Sequence, residues 1–525
     1  MKKAIILSLI LTLGLVARAQ FTDLSELEGQ SCTTIMVGKK ASDDGSVMTS
    51  HTCDGRYRTW MSIEPAQKHP QGAKHPVRHG TMHTTYAADT AGVKVVGTIP
   101  EVAQTYAYLN CAYPCLNEKQ LAIGEATFGG PDVLQNPKGW FTIEELQRIV
   151  LQRCTNARDA IRLIGELVKK YGYGDVGECL TIADTKEVWE FEIVGEGKDK
   201  IGACWVAQRV PDDEVGVNCN IPRIGRIQKN NPDYFMHSGN CEKVARKLKL
   251  WDGKGEFSFW KCFNTSYANG KNFREREFFI LSTLAPSLNL SMEMAELPFS
   301  VKPEKPVSAR DVMALFRSTF EGTELDMTQN LKQVVKGDTV PSYVANPWMG
   351  NATLATYNML QENAVTFRRT VSVAWCSYSY VIQLRDWLPD AVGGVCWMAC
   401  DNPGQSPRIP IFCGTTRLPK AFALCGQKAY NENAWLWQYR KANKLATVAW
   451  PRTKALHMGE VKRLEDKAFE GLPKLEKQIK SMDPDMRQKD IEALLNDYTQ
   501  QYYDETALAW RKLEEKYWQF FGMGF

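Results

Sequence analysis

Short β-rich runs joined by turn signals constrain the fold of this chain more than any other feature. The first two runs span residues 32–38 and 46–52, and the connection between them contains Asp43-Asp44-Gly45. Asp and Gly at such a connection favour a tight turn, so the pair predicts an antiparallel hairpin that begins at Cys32. The same pattern predicts a second hairpin over 180–193 and a third over 203–220.

Helical periodicity occurs in separate blocks of the chain. Thr142 and Glu145 form a capping-box pattern in front of one predicted helix, and a second helix is predicted over 156–171. Residues 460–525 are charged and helix-forming, and they predict a mainly helical C-terminal extension. Strands paired by hairpins, with helices in other blocks, predict an α+β fold with a largely antiparallel sheet.

The N-terminus has the pattern of a secretion signal. Lys2 and Lys3 precede an apolar stretch over 4–16, and Ala17-Arg18-Ala19 is a small-x-small cleavage pattern. The apolar stretch is shorter than the roughly 20 residues that span a bilayer, and no later stretch is long and uncharged enough to do so. The sequence therefore predicts a signal peptide at 1–19 and an exported protein, periplasmic or secreted, without a membrane span.

Charge and composition exclude several kinds of partner. The 525 residues carry 64 Lys and Arg against 60 Asp and Glu, a net charge of +4, and removal of residues 1–19 lowers it to +1. Without a basic block, neither nucleic acid nor a membrane surface is an expected partner. At 44% hydrophobic residues with fifteen tryptophans, the chain can bury a large core. We expect one large body over 32–525, and its aromatic-rich C-terminal helix packs on that body or in a homo-oligomer.

The chain has fifteen cysteines. Because this number is odd, at least one thiol of an exported chain is free, modified or paired with another molecule. Cys111 and Cys115, like Cys396 and Cys400, are spaced C-x3-C, which differs from the usual C-x2-C zinc spacing. Buried thiols and structural disulfides both remain open for these pairs.

Three interpretations of Cys32 are open from the residues alone. A lipid-anchored cysteine directly follows the apolar core of a leader, whereas twelve residues, 20–31, separate Cys32 from the predicted cleavage site. A structural cysteine at the start of a strand is the ordinary alternative. The third is a nucleophile uncovered by removal of 20–31 as a propeptide, because the freed α-amine, with a reference pKa of about 7.7 to 8.0, can then act as base for its own thiol.

Several blocks of sequence resemble one enzyme family. The stretch C-T-T-I-M-V-G-K-K-A-S-D-D-G-S over 32–46 is similar to the start of the dipeptidase A family of N-terminal nucleophile cysteine peptidases. That family is related to the secernins and, more distantly, to penicillin V acylases and bile salt hydrolases. The blocks at 116–130, 205–215, 284–288 and 388–395 resemble family blocks in the same order.

The resemblance implies a fold, a reaction and a set of site residues. It implies a four-layer αββα sandwich and hydrolysis of dipeptides through a thioester on Cys32, with no metal or organic cofactor. Asp54 matches the position that orients the freed α-amine, and Asn220 resembles the oxyanion donor, although Asn218 competes for that role and a turn residue before a proline is the plain alternative. His51 stands where an arginine is usual, so it either supports the thiolate or is a hydrogen-bonded strand residue.

Two further residues are candidates for substrate binding. Arg385 could bind a substrate carboxylate or form a structural ion pair. Glu125 could meet the ammonium group of a substrate, with a paired strand carboxylate as the alternative.

Four histidines between 65 and 83 invite a metal-binding interpretation. Their spacing suits a helix, but the prolines and glycines among them argue against one. We therefore predict a solvated loop rich in His and Pro. The four histidines are His69, His75, His79 and His83.

Together these patterns predict an exported cysteine-type dipeptidase that acts on small peptides. An amidase or acylase acting on non-peptide amides, such as acylated antibiotics or bile acids, is the alternative within the enzyme class. An inactive exported binding protein on the same fold is the alternative outside it.

Overall fold

The computed structural model describes residues 32–264, 271–482 and 488–523. The predicted signal peptide and propeptide lie outside the described residues. No helix within these ranges is long and apolar enough to cross a membrane.

In chain order, the described strands are β1 (Thr34–Val37), β2 (Val47–Asp54), β3 (Ser62–Glu64), β4 (Gln67–Lys68), β5 (Lys74–His79), β6 (Lys94–Pro100), β7 (Gln104–Thr105), β8 (Tyr108–Asn110), β9 (Leu116–Asn117), β10 (Ala122–Gly129), β11 (Gly177–Ala183), β12 (Val188–Gly195), β13 (Ala203–Arg209), β14 (Val215–Asn218), β15 (Phe235–His237), β16 (Ser300–Val301), β17 (Lys332–Val335), β18 (Asp338–Pro341), β19 (Cys376–Leu384), β20 (Val395–Cys400) and β21 (Ile409–Phe412). The described helices are α1 (Ile143–Arg153), α2 (Ala157–Tyr171), α3 (Cys241–Lys247), α4 (Phe259–Phe263), α5 (Lys271–Leu284), α6 (Ala309–Phe316), α7 (Asn351–Leu360), α8 (Asp390–Gly393), α9 (Trp435–Ala446), α10 (Trp450–Ser481) and α11 (Gln488–Gly522).

Two large antiparallel sheets form the centre of the described chain. The first has seven strands in the described residues, in the order β16-β14-β1-β2-β19-β20-β21, and the second has eight, in the order β15-β13-β12-β11-β10-β9-β8-β3. All neighbouring strands for which the register is defined run antiparallel. This architecture confirms the predicted α+β fold.

The two sheets pack on each other through β2 and the central strands of the second sheet. All eight residues of β2 are buried, including the polar ones. The Thr49 and Thr181 hydroxyls are 2.6 Å apart across the interface. Gly124 of β10 lies so close to β2 that a Cβ built on it would be 2.5 Å from the Ser50 carbonyl oxygen. A glycine at this position therefore lets the sheets approach closely.

Helices cover the outer faces of the sheets. α1 and α2 pack on the second sheet, and α9, α10 and α11 pack on the first. α2 begins where the Asn156 side chain accepts a hydrogen bond from the Asp159 amide, and it ends before Gly172 at φ 83°. Trp397 of β20 stacks on Phe469 of α10 with ring centroids 4.0 Å apart. The helical C-terminal part is thus packed on the body, which is one of the two placements left open for its aromatic-rich helix.

Two predicted hairpins are confirmed and the third is wrong. β1 pairs with β2, and β11 pairs with β12. In the third case, β13 pairs with β12 and β15, whereas β14 pairs with β1 and β16 in the other sheet. The link at 211–214 carries the chain between sheets and is held by the amides of Lys40 and Ala41, which donate to the Asp212 carbonyl. Two alternating strands with a short polar link look the same in sequence whether they pair or diverge.

The prediction of a loop over residues 65–83 is also wrong. β5 pairs with β6 in a two-stranded ribbon that accommodates Pro76 opposite Thr98. Val77 is fully buried and His75 is nearly so, with its ring between the carboxylates of Glu101 and Glu145. Alternating burial of this kind is typical of a strand, and proline is tolerated in it because a ribbon of two strands consists of edges.

All fifteen cysteines lie in the described residues, and none of them is paired in a disulfide. Fourteen are buried, and Cys425 is half-buried. Of the alternatives left open for the two C-x3-C pairs, the structure shows buried thiols.

Candidate active site

Cys32 lies where the two sheets meet. It directly precedes the bridge between Thr33 and Thr52, at the edge of β1 next to β2, and its side chain is buried. Its thiol is 3.7 Å from the Glu125 Oε2 atom on β10. The first sheet therefore supplies the sulfur and the second sheet supplies a carboxyl group beside it.

The backbone nitrogen of Cys32 is held by Asn220. Its N–H donates to Asn220 Oδ1 at 2.7 Å, while Asn220 Nδ2 donates to the Thr127 carbonyl at 2.7 Å. Asn220 has φ 67°, a left-handed conformation that asparagine adopts more readily than most residues. Asn218 stabilises this turn, because its Oδ1 atom accepts a hydrogen bond from the Asn220 backbone N–H at 3.0 Å. The structure thus brings Asn220, and not Asn218, to Cys32.

Arg276 of α5 ties this arrangement together. Its guanidinium donates to the carbonyl of Cys32 at 2.5 Å and to the Thr33 hydroxyl at 2.9 Å. It also donates to the Cys219 carbonyl at 2.7 Å and to Asn220 Oδ1 at 2.9 Å. Burial and the neighbouring charge of Arg369 lower the pKa of Arg276 to about 9. One buried cation therefore holds both chain segments that meet at the Cys32 nitrogen.

Asp54 is buried beside Cys32 at the end of β2. Its Oδ2 atom accepts hydrogen bonds from Arg369 at 2.6 Å and from Thr52 at 2.8 Å. Its Oδ1 atom is buried without a hydrogen-bond partner in the part of the chain that the structure describes. The site thus has an acceptor oxygen to spare, on the residue predicted to orient an α-amine.

The thiol of Cys32 is strongly disfavoured from ionising in this environment. Burial raises its pKa well above the usual value, and the nearby carboxyl group of Glu125 raises it further. The Asp54 backbone N–H acts in the opposite direction. A nucleophile here needs a base next to it.

His51 is a neutral hydrogen-bonded residue. Its Nδ1 atom is 2.6 Å from the Glu125 carbonyl oxygen, and its ring packs among Tyr113, Tyr378 and Tyr380. Burial lowers its pKa from 6.5 to about 3, so it carries no charge near pH 7. Of the two roles considered for His51, this geometry favours the hydrogen-bonded strand residue, and the cations near Cys32 are Arg276 and Arg369.

Glu125 forms a carboxyl pair with Glu178 of β11. The two side chains hydrogen-bond to each other, and Thr127 donates to Glu125 Oε1 at 3.0 Å. Burial raises the pKa of Glu125, and burial beside Glu125 raises that of Glu178. The pair is therefore a place where a positively charged group would be stabilised.

Arg385 does not lie with the other candidates. β19 pairs with β2 so that Leu384 is opposite Val47, whereas Cys32 is beside the Thr52 end of β2. Five residues of strand correspond to about 17 Å. Arg385 pairs with Glu476 of α10 and donates to the carbonyls of Val392 and Gly393. The geometry favours the structural ion pair over substrate binding.

Three residues near Cys32 were not predicted from the sequence: Arg276, Arg369 and Glu178. Arg276 belongs to the run Arg274-Glu275-Arg276-Glu277, whose four side chains are all buried. Alternating charges next to apolar residues are as common on an exposed helix face, so only the apolar Phe278 and Phe279 that follow hinted at burial. Glu178 carried a clearer signal, since it lies two residues before the strand predicted from residue 180, and a buried carboxylate there needs a partner.

Cys32, His51 and Glu125 could also hold a metal ion. One potential ligand atom from each lies within 4.8 Å of the other two, and this is the one such group of three His, Cys, Asp or Glu side chains over residues 32–264, 271–482 and 488–523. The four histidines between 65 and 83 form no such group in that part of the chain.

Comparison with known proteins gives a consistent result. The family model described as peptidase family C69 matches residues 31–462. A probable dipeptidase of Latilactobacillus sakei is 28% identical over 432 residues, covering 79% of this chain and 80% of that protein. A probable dipeptidase B of Streptococcus pyogenes serotype M1 is 23% identical over 449 residues, covering 80% of this chain and 79% of that protein. A probable dipeptidase of Salmonella dublin is 24% identical over 409 residues, covering 73% of this chain and 81% of that protein.

Proposed function

This chain belongs to peptidase family C69, and we propose that it is an exported dipeptidase whose nucleophile is Cys32 at the N-terminus of a processed chain. The relatives named above as dipeptidases support the substrate class. The leader pattern at 1–19 supports export, and 20–31 is then the propeptide.

The main support for the proposal is the hydrogen bonding around the Cys32 nitrogen. Asn220 Oδ1 accepts from this nitrogen at 2.7 Å, and Arg276 fixes both Asn220 and the Cys32 carbonyl. An ordinary strand residue needs no such buried network around its amide. Once residues 20–31 are removed, the same contacts hold an α-amine next to its own thiol, with Asp54 Oδ1 as a further acceptor for the additional N–H groups.

The reaction then uses one residue as nucleophile and base. The α-amine takes the thiol proton, the sulfur attacks the scissile carbonyl carbon, and the tetrahedral intermediate collapses to a thioester as the amine returns the proton to the leaving amino acid. Water, deprotonated by the same amine, then attacks the thioester. This step releases the N-terminal amino acid of the dipeptide, and the proton returns to the sulfur. We assign Asn220 to holding the amine, because its Nδ2 already donates to the Thr127 carbonyl.

The carboxyl pair on the second sheet supports a substrate with a free ammonium group. In a dipeptide the α-nitrogen lies about 2.5 Å from the carbonyl carbon that is attacked. Glu125 Oε2, at 3.7 Å from the sulfur, is therefore within reach of that nitrogen. An acylated antibiotic or bile acid has no cation to offer at this position, so the pair favours a dipeptide over the amides of an acylase.

The two facing sheets and their outer helices support the four-layer αββα sandwich expected of an N-terminal nucleophile hydrolase. In that arrangement the nucleophile lies at an edge of one central sheet and faces the other. We therefore propose that this is the fold of the processed enzyme.

Mass and N-terminal sequence of the exported protein, followed by an activity panel, test the proposal. We expect a chain that begins at Cys32, cleaves dipeptides, and leaves N-acetylated dipeptides and non-peptide acyl amides uncleaved. Cys32→Ala should abolish turnover, and Cys154→Ala should retain it as a control for loss of a buried thiol.

Glu125→Gln should raise KM for dipeptides by at least tenfold, since the ammonium then loses its counter-charge. Glu144→Gln, at a buried glutamate of α1, is the matched control and should leave KM unchanged. A protein that begins at Gln20, or one that cleaves acylated substrates better than dipeptides, contradicts the proposal.

A further inference from the structure

The group formed by Cys32, His51 and Glu125 has the donors of a zinc site, and we propose that the chain beginning at Cys32 binds one Zn²⁺ there, which blocks the enzyme reversibly. The inference rests on the proposed function in one respect, because it uses the N-terminus exposed by removal of 20–31. Thiolate, imidazole and carboxylate are the three side-chain ligands that Zn²⁺ takes most often.

The distance between sulfur and carboxylate fits a shared ion. With a Zn–S bond of about 2.3 Å and a Zn–O bond of about 2.0 Å, the two ligand atoms of a tetrahedral site lie about 3.5 Å apart. Cys32 Sγ and Glu125 Oε2 are 3.7 Å apart. The third donor, a ring nitrogen of His51, lies within 4.8 Å of both, so a shift of about 1 Å closes the site.

His51 has the hydrogen bonding of a preformed ligand. Nδ1 is 2.6 Å from the Glu125 carbonyl oxygen, so this nitrogen carries the proton and donates. Nε2 is left with its lone pair, and it is buried without a hydrogen-bond partner among the described residues. In protein zinc sites a histidine ligand usually donates its other ring N–H to a backbone carbonyl, a carboxylate or water. The site therefore accounts for a buried polar atom that the reaction itself leaves unused.

The freed α-amine completes the coordination. Nitrogen and sulfur of an N-terminal cysteine close a five-membered ring on one metal ion, which gives four donors in all. The thiol releases its proton to solvent when it binds, because the thiolate is the ligand. The bound ion occupies both the nucleophile and the carboxylate assigned to the substrate ammonium, so Zn²⁺ and dipeptide exclude each other.

The experiment uses the chain released by cleavage of a tag directly before Cys32, freed of metal with a chelator. Zn²⁺ binding is measured by competition with a chromophoric chelator, and Co²⁺ is added separately to read thiolate ligation from its absorption. We expect one Zn²⁺ per chain, a thiolate-to-cobalt band, competitive inhibition of dipeptide cleavage, and full recovery with chelator.

Variants locate the ion. Cys32→Ala should abolish the cobalt band. His51→Gln should weaken Zn²⁺ binding by about a hundredfold or more, since even the loss of a group that only hydrogen-bonds to a ligand costs about 10- to 100-fold. His237→Gln, at a histidine of the edge strand β15, should bind as the unmodified chain does. Circular dichroism checks that the variants fold, and Cys32→Ser, which keeps the side-chain volume, replaces Cys32→Ala if that variant does not.

The proposal is overturned if the chain binds no Zn²⁺ at micromolar concentrations, if binding survives in Cys32→Ala or His51→Gln, or if Zn²⁺ activates the enzyme. Turnover measured with chelator present tests the proposed function alone. A chain that binds Zn²⁺ but cleaves no dipeptide contradicts the proposed function and not the metal site, and the converse result contradicts the metal site only.

Discussion

Replacing Asn220 by glycine tests whether this residue holds the α-amine of Cys32 or stabilises the oxyanion. Its Oδ1 accepts from the Cys32 nitrogen and from Arg276, and its Nδ2 donates to Thr127. Glycine removes all three bonds, yet it adopts the φ of 67° without strain. The kinetic effect of Asn220→Gly therefore reports on the side chain, whereas Asn220→Ala adds a backbone cost of about 1 kcal/mol.

The size of the effect follows from these bonds. A hydrogen bond to a charged group contributes about 1.5 to 3 kcal/mol, so loss of the amine contact should lower kcat/KM for a dipeptide roughly 10- to 150-fold. Loss of all three bonds should lower the free energy of unfolding by about 3 to 5 kcal/mol.

Alkylation of Cys32 by iodoacetamide provides the decisive assay, because this reaction forms no oxyanion. Its rate is followed by mass spectrometry of the N-terminal peptide of the processed chain. If Asn220 holds the amine that deprotonates the thiol, Asn220→Gly slows alkylation and peptide cleavage by similar factors. Asn289→Gly, at an exposed asparagine with φ 47°, should change neither rate.

Cleavage that slows while alkylation keeps its normal rate contradicts this prediction, because Asn220 would then serve the oxyanion. The prediction is also refuted if neither rate changes.

Three further predictions concern buried charged or polar networks. Arg276→Lys keeps the charge, but one lysine nitrogen cannot reach all four acceptors. Denaturant unfolding should therefore show a free energy of unfolding lower by about 2 to 4 kcal/mol. Arg385→Met should lower stability by about 3 kcal/mol by leaving Glu476 unpaired, while kcat and KM for dipeptides remain those of the unmodified chain. The buried His457 ring donates from Nε2 to the Gln405 carbonyl, and its Nδ1 accepts from the Tyr517 hydroxyl. Burial lowers the pKa of His457 from 6.5 to about 4. Below pH 6.5 the unfolded chain binds a proton that the folded chain does not, so stability falls as the pH is lowered toward 4, by up to roughly 3 kcal/mol from this residue.

Each of these predictions has a result that contradicts it. For Arg276→Lys it is a free energy of unfolding within about 0.5 kcal/mol of the unmodified chain. For Arg385→Met it is a tenfold rise in KM at unchanged stability. For His457, the stability difference between the unmodified chain and His457→Gln should shrink as the pH falls from 7 to 4, and a constant difference would show that this histidine does not titrate on unfolding.

The sequence was sufficient for the parts of this molecule that local patterns determine. Turn residues and alternating strands predicted the α+β class and the position of Cys32 at a strand start. The third hairpin failed because the pattern of residues in 203–220 says nothing about which sheet each strand joins. The loop predicted over 65–83 failed because proline excludes a helix but not a two-stranded ribbon.

The site was predicted in part for a similar reason. Asn220 and Glu125 were found and do lie at Cys32, yet the role of Asn220 depends on which of its two amide atoms faces the Cys32 nitrogen. Arg276 is 244 positions away from Cys32, and no local pattern marks it as the residue that holds the Cys32 carbonyl. Such long-range contacts between buried charges become visible only when the chain is folded.

The close approach of the sheets at Gly124 makes the distance between Cys32 and Glu125 depend on a residue without a side chain. Any side chain there would meet the Ser50 carbonyl at 2.5 Å, about 1 Å closer than an ordinary contact permits. To relieve that clash, β10 would have to move away from β2. Glu125, the next residue, would then move away from the Cys32 sulfur. If Cys32 and Glu125 act as proposed, activity can therefore be lost through a displacement of the sheets, in a variant that keeps Cys32, Asn220 and Glu125.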